Sequence, residues 1–242
     1  MARGSLIPFV GPSIGDMVDA VSIRAVIFDL DGVLIDSEER WARAKEALVR
    51  ETGGRWKPEA SHAMLGMSSP EWSRYLQEEL GVPLSPEEIN DAVVARMLQD
   101  YRRDLPLIEG ARDAVLRLAG RWPLALATSS NREVIDAVLE ASGLAGAFAA
   151  TVSSEEVARG KPAPDVYVEA SARLGVAPGD AAAVEDSTNG LLAARAARMA
   201  VVAIPNRAFP PSDEALAAAD VVLASISELT PAVIDALGQT DR

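Results

Sequence analysis

Along most of this chain, short apolar runs alternate with stretches whose apolar residues recur at helical spacing. Ala25–Phe28 is the clearest run and has no polar alternation, which is typical of a strand covered on both faces in a parallel sheet. Similar runs follow around residues 123–127, 148–152, 181–184, 200–204 and 220–223. Because amphipathic segments separate them, the pattern predicts an α/β fold with a Rossmann-like parallel sheet as its core.

One long stretch breaks this alternation. After Ser37 the spacing becomes helical, with an apolar face of Trp41, Ala44, Leu48 and Val49 and a polar face of Glu38, Arg43, Lys45 and Arg50. Further helical segments are predicted at 59–65, 69–80 and 86–103. We therefore predict an all-helical domain at residues 38–106, inserted into a Rossmann-like core at 23–37 and 107–242, after a loose leader at 1–22.

The composition is that of a globular protein of 242 residues, 49% of them apolar. No apolar run approaches the ~20 residues that span a bilayer, and Leu6–Val10 in the leader is interrupted by Pro8 and lacks a signal-peptide cleavage pattern. The absence of cysteine excludes disulfides and thiol catalysis, and the formal charge of −13 argues against nucleic-acid binding. We expect a cytoplasmic monomer without a membrane or nucleic-acid partner.

Two carboxylates and a glycine directly follow the first strand. Asp29 and Asp31 are expected at its carboxyl end, where open α/β sheets bind their ligands. Neighbouring carboxylates repel each other, so the pair indicates a bound cation, a proton held on one of them, or both. Helix capping is the alternative for acidic residues here, and Asp36 with Glu39 resembles a capping box. Capping does not account for Asp29 and Asp31.

Hydroxyl groups follow the second strand in the same way. Thr128, Ser129 and Ser130 stand there, and both their hydroxyls and the backbone N–H groups of the next helix are suited to an anion. The alternative is that Ser130 or Asn131 simply caps that helix. The two interpretations are compatible.

A lysine and a second pair of acidic residues are the remaining polar groups predicted near the strand ends. A surface position is the default for an isolated lysine, but the two prolines after Lys161 fix its backbone. Glu185 and Asp186 end the fourth strand and open a helix, where acidic residues are also ordinary partners of the helix dipole. Beside Asp29 they would make an oxygen-rich site suited to Mg²⁺.

These four groups, in this order, resemble the four motifs of the haloacid dehalogenase superfamily, and the resemblance covers residues 24–230. Asp29, Asp31 and Gly32 match the first motif of its phosphotransferases, whereas the dehalogenases lack the second carboxylate. The resemblance implies a Mg²⁺-dependent phosphatase that hydrolyses a small phosphate ester. Asp29 would be the nucleophile that takes up the phosphoryl group, and Asp31 the general acid and base.

The resemblance also assigns the residues that hold the substrate's phosphate. Thr128 would bind the transferring phosphoryl group, with Ser129 and Ser130 beside it in the substrate loop. Lys161 would neutralise the charge that develops on this group and restrain Asp29.

The same motifs imply how the metal is held. Asp186 would be a direct ligand, together with the Asp29 carboxylate and the main-chain carbonyl of Asp31. Glu185 would bind either directly or through water.

The helical stretch matches the small cap of one branch of the superfamily in position and length. Ala63–Ser68 resembles the cap loop that contacts substrate in sugar-phosphate enzymes, although Met64 and Met67 could equally be core residues. His62, the only histidine, is expected to be a surface or packing residue. Trp41, Trp56 and Trp72 are expected to pack the cap helices together. For Trp41 the alternative is that its side chain faces the cleft.

Three segments, 31–37, 160–165 and 185–187, look most like the β-phosphoglucomutase branch, which also contains sugar-phosphate phosphatases. The mutases carry a histidine five residues after the last Asp of the first motif, and Trp41 stands at that position here. We therefore expect a phosphatase, with a phosphomutase as the alternative. A catalytically silent binding protein is a further alternative, which the intact motifs disfavour.

Overall fold

The computed structural model describes residues 22–64 and 67–238. The predicted leader, except for Ser22, therefore lies outside the described residues, as do Leu65 and Gly66 of the predicted cap loop. The six strands are β1 (Ala25–Phe28), β2 (Leu124–Thr128), β3 (Ala150–Ser153), β4 (Ala181–Glu185), β5 (Ala200–Ala203) and β6 (Val221–Val222).

The strands form one parallel sheet in the order β3-β2-β1-β4-β5-β6. The chain runs outward from β1 to β3, returns to β4 on the other side of β1, and then runs outward again to β6. The order therefore reverses between β1 and β4, and such a switch point opens a crevice at the carboxyl ends of the strands. The predicted α/β fold with a Rossmann-like parallel sheet is confirmed.

Helices cover both faces of the sheet and fill the stretch between β1 and β2. In chain order they are α1 (Glu38–Glu51), α2 (Ala60–Ala63), α3 (Ser69–Glu78), α4 (Pro86–Arg103), α5 (Ala111–Ala119), α6 (Arg132–Ser142), α7 (Asp165–Leu174), α8 (Thr188–Ala196), α9 (Asp213–Leu216) and α10 (Pro231–Leu237). Among the described residues, no helix has both the length and the apolar character needed to cross a membrane.

The two faces of the sheet pack against different residues because side chains alternate along each strand. Val26 and Phe28 belong to a cluster that includes residues of α5 and α6 and extends into α1, α3 and α4. Ala25 and Ile27 face the opposite side, where most strand residues are alanine and where α7 and α8 pack. The alanines leave room for these two helices to approach the sheet closely.

Helices α1 to α4 form the helical insert between β1 and β2, in agreement with the predicted helical segments. Arg40 joins α1 to the end of α4 through Asp100 and Asp104, at 2.8 and 2.6 Å. Trp41 and Trp72 pack against each other with ring centroids 6.2 Å apart, which is the packing expected of them. Helix α4 also contacts α6, so the insert lies against the sheet-bearing part of the chain.

Four details differ from the sequence prediction. The interpretation of Asp36 and Glu39 as a capping box is wrong, because α1 begins at Glu38 with Ser37 as its N-cap. The third strand starts two residues later than expected, and β6 contains Val221 and Val222 alone. Lys45 was placed on the polar face of α1 but is buried, because it lies one helical turn after Trp41.

Candidate active site

The register of the sheet brings the predicted acidic residues together. Phe28 pairs with Val184, and the backbone N–H of Asp29 donates to the Val184 carbonyl at 3.0 Å. Asp29 and Glu185 therefore stand at the same level at the carboxyl ends of two adjacent strands. Asp186 follows immediately in the chain.

Lys161 lies between these strand ends. Its Nζ donates to Asp29 Oδ1 at 2.5 Å, to Glu185 Oε1 at 2.6 Å and to the carbonyl of Ala127 at 3.0 Å. Burial alone would lower the pKa of Lys161, but the two carboxylates raise it above its ordinary value. The side chain is therefore a charged ammonium at neutral pH, and it connects β1, β2 and β4.

Glu185 is fully buried and surrounded by donors. Oε1 accepts from Lys161 and from the hydroxyl of Tyr167, at 2.6 and 2.7 Å. Oε2 accepts from the backbone N–H of Asp186 at 3.0 Å and from the N–H and hydroxyl of Ser187 at 3.3 and 3.2 Å. Burial raises the pKa of Tyr167 well above its ordinary value, so the phenol keeps the proton that it donates.

The carboxylates of Asp29, Glu185 and Asp186 fit a cation. Each offers an oxygen within 4.8 Å of the others, while Lys161 is the one cation inside this group of described residues. Burial raises the pKa of Asp29 well above its ordinary value even though Lys161 opposes the shift, and burial with the Glu185 charge does the same to Asp186. The group therefore lacks positive charge, and hard oxygen ligands of this kind suit Mg²⁺.

Gly32 allows the backbone after β1 to pass directly beside Asp186. It has φ +81°, in the left-handed region that favours glycine. A Cβ at this position would lie 1.9 Å from Asp186 Oδ2. A side chain here would therefore displace a carboxylate of the acidic group.

Asp31 lies at the floor of the cleft and is oriented by three donors. Oδ1 accepts from Ser37 Oγ at 2.5 Å and from Trp41 Nε1 at 3.0 Å, and Oδ2 accepts from Ser130 Oγ at 2.6 Å. Two of these donors come from the start of the helical insert and one from the loop after β2. The sequence-based alternative that Trp41 faces the cleft is correct, in addition to its packing role.

These residues line a cavity of about 480 Å³ between the sheet edge and the helical insert. All of the predicted site residues reach it except Glu185, which lies beneath it. The predicted residues that line the cavity are Asp29, Asp31, Thr128, Ser129, Ser130, Lys161 and Asp186.

The start of α6 is less open to an anion than the sequence indicated. The Ser130 N–H donates to Thr128 Oγ1 at 3.1 Å, and the Arg132 N–H donates to Glu155 Oε2 at 3.0 Å. Asn131 is the N-cap residue of α6, but its side chain bonds elsewhere. Two of the backbone N–H groups at this helix start are therefore already bonded within the protein.

Asn131 joins the helical insert to the sheet-bearing part of the chain. Its Oδ1 accepts from Ser69 Oγ on α3 at 2.9 Å, and its Nδ2 donates to Asn90 Oδ1 on α4 at 3.0 Å and to Glu155 Oε1 at 2.6 Å. The side chain is buried. We call these four residues the Asn131 clasp.

Several lining residues were not anticipated from the sequence. The loop residues Asn206, Ala208, Phe209 and Pro210 close one side, and Glu38 and Lys45 of α1 project into the cavity. For the α1 residues the helical spacing from Trp41 was an available signal, whereas no pattern marked the loop. His62 is exposed, as expected, and lies at the cavity wall.

Carboxylates, a buried lysine and hydroxyl groups thus meet beneath the helical insert, at the carboxyl ends of the parallel strands. The family model for haloacid dehalogenase-like hydrolases matches residues 23–198. The chain belongs to this family and is a hydrolase, as the motifs predicted.

Known relatives agree with the sugar-phosphatase branch. Hexitol phosphatase B of Escherichia coli is 35% identical over 214 residues, which cover 86% of this chain and 95% of that protein. Fructose-1-phosphate phosphatase YqaB of Escherichia coli is 33% identical over 182 residues, covering 73% and 94%. The solved structure of CbbY from Rhodobacter sphaeroides in complex with phosphate has a TM-score of 0.79 at 31% identity, covering 88% and 99%.

Gly32→Ala should destabilise the fold through a collision with Asp186. The left-handed backbone alone costs about 1–2 kcal/mol with a Cβ, and displacement of the carboxylate adds to this. Gly53→Ala is the matched control, because Gly53 has φ +83° but open space around it. Urea unfolding should show a larger loss for Gly32→Ala than for Gly53→Ala.

A double-mutant cycle separates the collision from other effects. Combining Gly32→Ala with Asp186→Ala removes the struck side chain, so the two changes should couple favourably by at least about 1 kcal/mol. If the two changes in the free energy of unfolding were additive, the close approach to Asp186 would not be the reason for glycine at position 32.

Proposed function

We propose that the protein is a Mg²⁺-dependent phosphatase that hydrolyses a phosphate monoester of a sugar or small metabolite through an aspartyl-phosphate. One observation carries the proposal: Asp29 lines the cavity with Lys161 Nζ 2.5 Å from its Oδ1, and Asp31 lines the same cavity. A nucleophile restrained by a cation, next to a second carboxylate, is the arrangement that in-line phosphoryl transfer needs.

In the first step, an Asp29 carboxylate oxygen attacks phosphorus and the ester P–O bond breaks. Asp31 gives its proton to the leaving alkoxide, which departs as the alcohol. Lys161 offsets the negative charge on Asp29 and on the phosphoryl oxygens. Thr128, Ser129 and Ser130 line the cavity around the phosphate; the hydroxyls of Thr128 and Ser129 donate to the phosphate oxygens, whereas that of Ser130 donates to Asp31.

In the second step, Asp31 takes a proton from water, whose oxygen attacks the phosphorus of the aspartyl-phosphate. The bond from phosphorus to Asp29 breaks, which releases inorganic phosphate and restores the carboxylate. Because Ser37, Trp41 and Ser130 fix Asp31 from two sides, the same group is oriented for both proton transfers.

The residues that would hold Mg²⁺ are the Asp29 and Asp186 carboxylates and the main-chain carbonyl of Asp31. When bound, the ion neutralises phosphoryl charge and orients the ester for in-line attack. For Glu185 we favour an indirect role, because donors already surround both of its oxygens. It anchors Lys161 and fixes the turn that presents Asp186.

The proposed substrate class rests on the relatives and on the helical insert. Two relatives are named for sugar or hexitol phosphates, and the insert covers the cavity in which such a leaving group would lie. We propose residues 38–106 as a substrate-selecting cap on a catalytic core at 23–37 and 107–242. The expectations of a monomer and of a cytoplasmic location remain predictions.

Hydrolysis is favoured over isomerisation by Trp41. Its indole N–H donates to Asp31 Oδ1 at 3.0 Å, and an indole is a donor that cannot accept and relay a proton as an imidazole can. A mutase must keep the aspartyl-phosphate from water until a second hydroxyl arrives. Trp41 holds Asp31 in place but provides no such proton-dependent control.

Asp29→Asn should lower turnover by about 10³-fold or more, because it removes the attacking carboxylate while keeping the side-chain shape. Phosphate release from an aryl phosphate with Mg²⁺ measures this, with EDTA as the metal-free control. The circular dichroism spectrum should not change. Activity near that of the wild type would refute the assignment, and a wild type without any Mg²⁺-dependent release would favour the silent binding protein.

Mg²⁺ should stabilise the protein more at high pH than at low pH. In the metal-free protein the raised pKa values of Asp29 and Asp186 mean that the folded state holds protons that the unfolded chain has lost. Stability therefore falls as the pH rises above about 4. Because Mg²⁺ binds the ionised carboxylates, the stability that it restores should be larger at pH 8 than at pH 5.5.

Thermal unfolding with and without Mg²⁺ measures this effect. At about 100 times Kd, linkage adds about 2.7 kcal/mol, which raises Tm by roughly 5–10 °C for a chain of this size. Asp186→Asn should remove most of the rise. A Tm that does not respond to Mg²⁺ at pH 8 would contradict the proposed site.

Given β-glucose 1-phosphate with a trace of the 1,6-bisphosphate, the protein should produce inorganic phosphate in preference to glucose 6-phosphate. The reason is that Trp41 cannot relay protons and so does not keep water from the aspartyl-phosphate. A coupled assay follows both products. Faster formation of glucose 6-phosphate would make the phosphomutase the better description.

A further inference from the structure

A buried lysine of the helical insert stands in the cavity with no hydrogen-bond or ion-pair partner among the described residues. Lys45 is 8% exposed, and its Nζ lies 4.9 Å from the ring centroid of Trp72 and 5.6 Å from that of Trp41. Within residues 22–64 and 67–238, no oxygen lies at hydrogen-bonding or ion-pairing distance from this ammonium. The two indole rings offset part of its lost hydration, but no oxygen of the described residues accepts a hydrogen bond from the ammonium.

Glu38 is the complement of Lys45 on the same helix. It lies seven residues earlier, which is two helical turns, and it lines the same cavity. Burial and the nearby Asp31 charge raise the pKa of Glu38 to about 7, and burial lowers that of Lys45 to about 8. Lys45 offers donors and Glu38 offers acceptors, and a hydroxyl group satisfies both because it donates and accepts.

The charges of the cavity disfavour a second anion. The described lining contains Asp29, Asp31, Glu38 and Asp186 against Lys45 and Lys161, and it contains no arginine. Lys161 is already bound to Asp29 and Glu185. A second phosphate or a carboxylate beside Lys45 would meet one ammonium and the repulsion of two carboxylates, Glu38 and Asp31.

The remaining lining suits the carbon skeleton of a sugar or sugar alcohol. Trp72, Met64, Met67, Phe209 and Pro210 present apolar surface to the same cavity. Aromatic and thioether groups pack against C–H groups, while a few polar groups fix orientation. A leaving group with hydroxyls on one side and C–H groups on the other matches this division.

We propose that Lys45 and Glu38 are specificity residues that bind hydroxyl groups of an uncharged polyol leaving group. The site then selects monophosphates of neutral sugars or sugar alcohols over esters that carry a second anionic group. The inference rests on the proposed phosphatase function. It adds which residues bind the leaving group and that this leaving group is uncharged.

A matched pair of substrates tests the charge preference. Sorbitol 6-phosphate and 6-phosphogluconate share their carbon chain and differ at C1, where one has a hydroxymethyl group and the other a carboxylate. We expect kcat/KM to be at least about tenfold higher for sorbitol 6-phosphate. Equal values, or a preference for the carboxylate, would overturn the inference. Acetyl phosphate measures phosphatase chemistry alone, and a failure of the wild type to hydrolyse it would refute the proposed function instead.

Lys45→Met tests the residue itself, because it keeps the side-chain stem and removes the ammonium. We expect kcat/KM for sorbitol 6-phosphate to fall at least about tenfold more than that for acetyl phosphate, while Tm stays the same or rises as an unpaired buried charge is lost. A lower Tm with equal losses for both substrates would show a structural role and overturn the inference. Lys57→Met is the matched control, since Lys57 lies on the insert surface and pairs with Glu79 at 3.5 Å.

Glu38→Gln provides an independent variant. It keeps a side-chain oxygen that can accept a hydrogen bond from a substrate hydroxyl, and it removes the negative charge. The preference for sorbitol 6-phosphate over 6-phosphogluconate should fall toward one, because the repulsion of the carboxylate is relieved. An unchanged preference would contradict the role of Glu38.

Discussion

The structure depends on one buried ammonium placed between two carboxylates. Lys161 joins Asp29 to Glu185 and also reaches the Ala127 carbonyl, so a single side chain fixes the ends of three strands relative to one another. Removing one member of a buried ion pair typically costs about 3–5 kcal/mol, because the other charge is left uncompensated. Asp186 adds a third acidic group, so three carboxyl groups face a single ammonium. The interaction that assembles the strand ends therefore also creates the requirement for a cation.

Small residues let the surrounding elements come close enough to support this group. The alanine-rich face of the sheet lets α7 pack closely, and Tyr167 on that helix reaches Glu185. At the start of α8, a Cβ on Gly190 would lie 1.9 Å from the Glu185 carboxyl group. The Asn131 clasp joins α3 and α4 to the loop after β3 through two neutral hydrogen bonds and one to a carboxylate. The site is thus built from close backbone approaches beneath and polar contacts above.

Much of this arrangement could be predicted from the sequence, because strand ends and glycine turns leave local patterns. The acidic residues after β1 and β4 are visible as polar groups that directly follow apolar runs, and the parallel sheet then places them together. The partners of Asn131 could not be predicted, because Ser69, Asn90 and Glu155 are distant in the chain and ordinary in their local context. The wrong prediction for Lys45 has a different cause. Its charge suggested the polar face, whereas its spacing from Trp41 already indicated the buried one, and burial beside two indole rings prevailed.

Helix α1 carries both the two groups that we propose to face the leaving group and the indole that donates to Asp31. Glu38, Trp41 and Lys45 lie on one face of a single rigid element, so they move together. In the proposed mechanism, a leaving group that packs poorly against Lys45 would also disturb the Trp41 donor on Asp31. Recognition is then coupled to proton delivery, and binding energy from the part of the substrate remote from phosphorus is used in the transition state. In such an enzyme, a poor substrate is distinguished more by how slowly it reacts than by how weakly it binds.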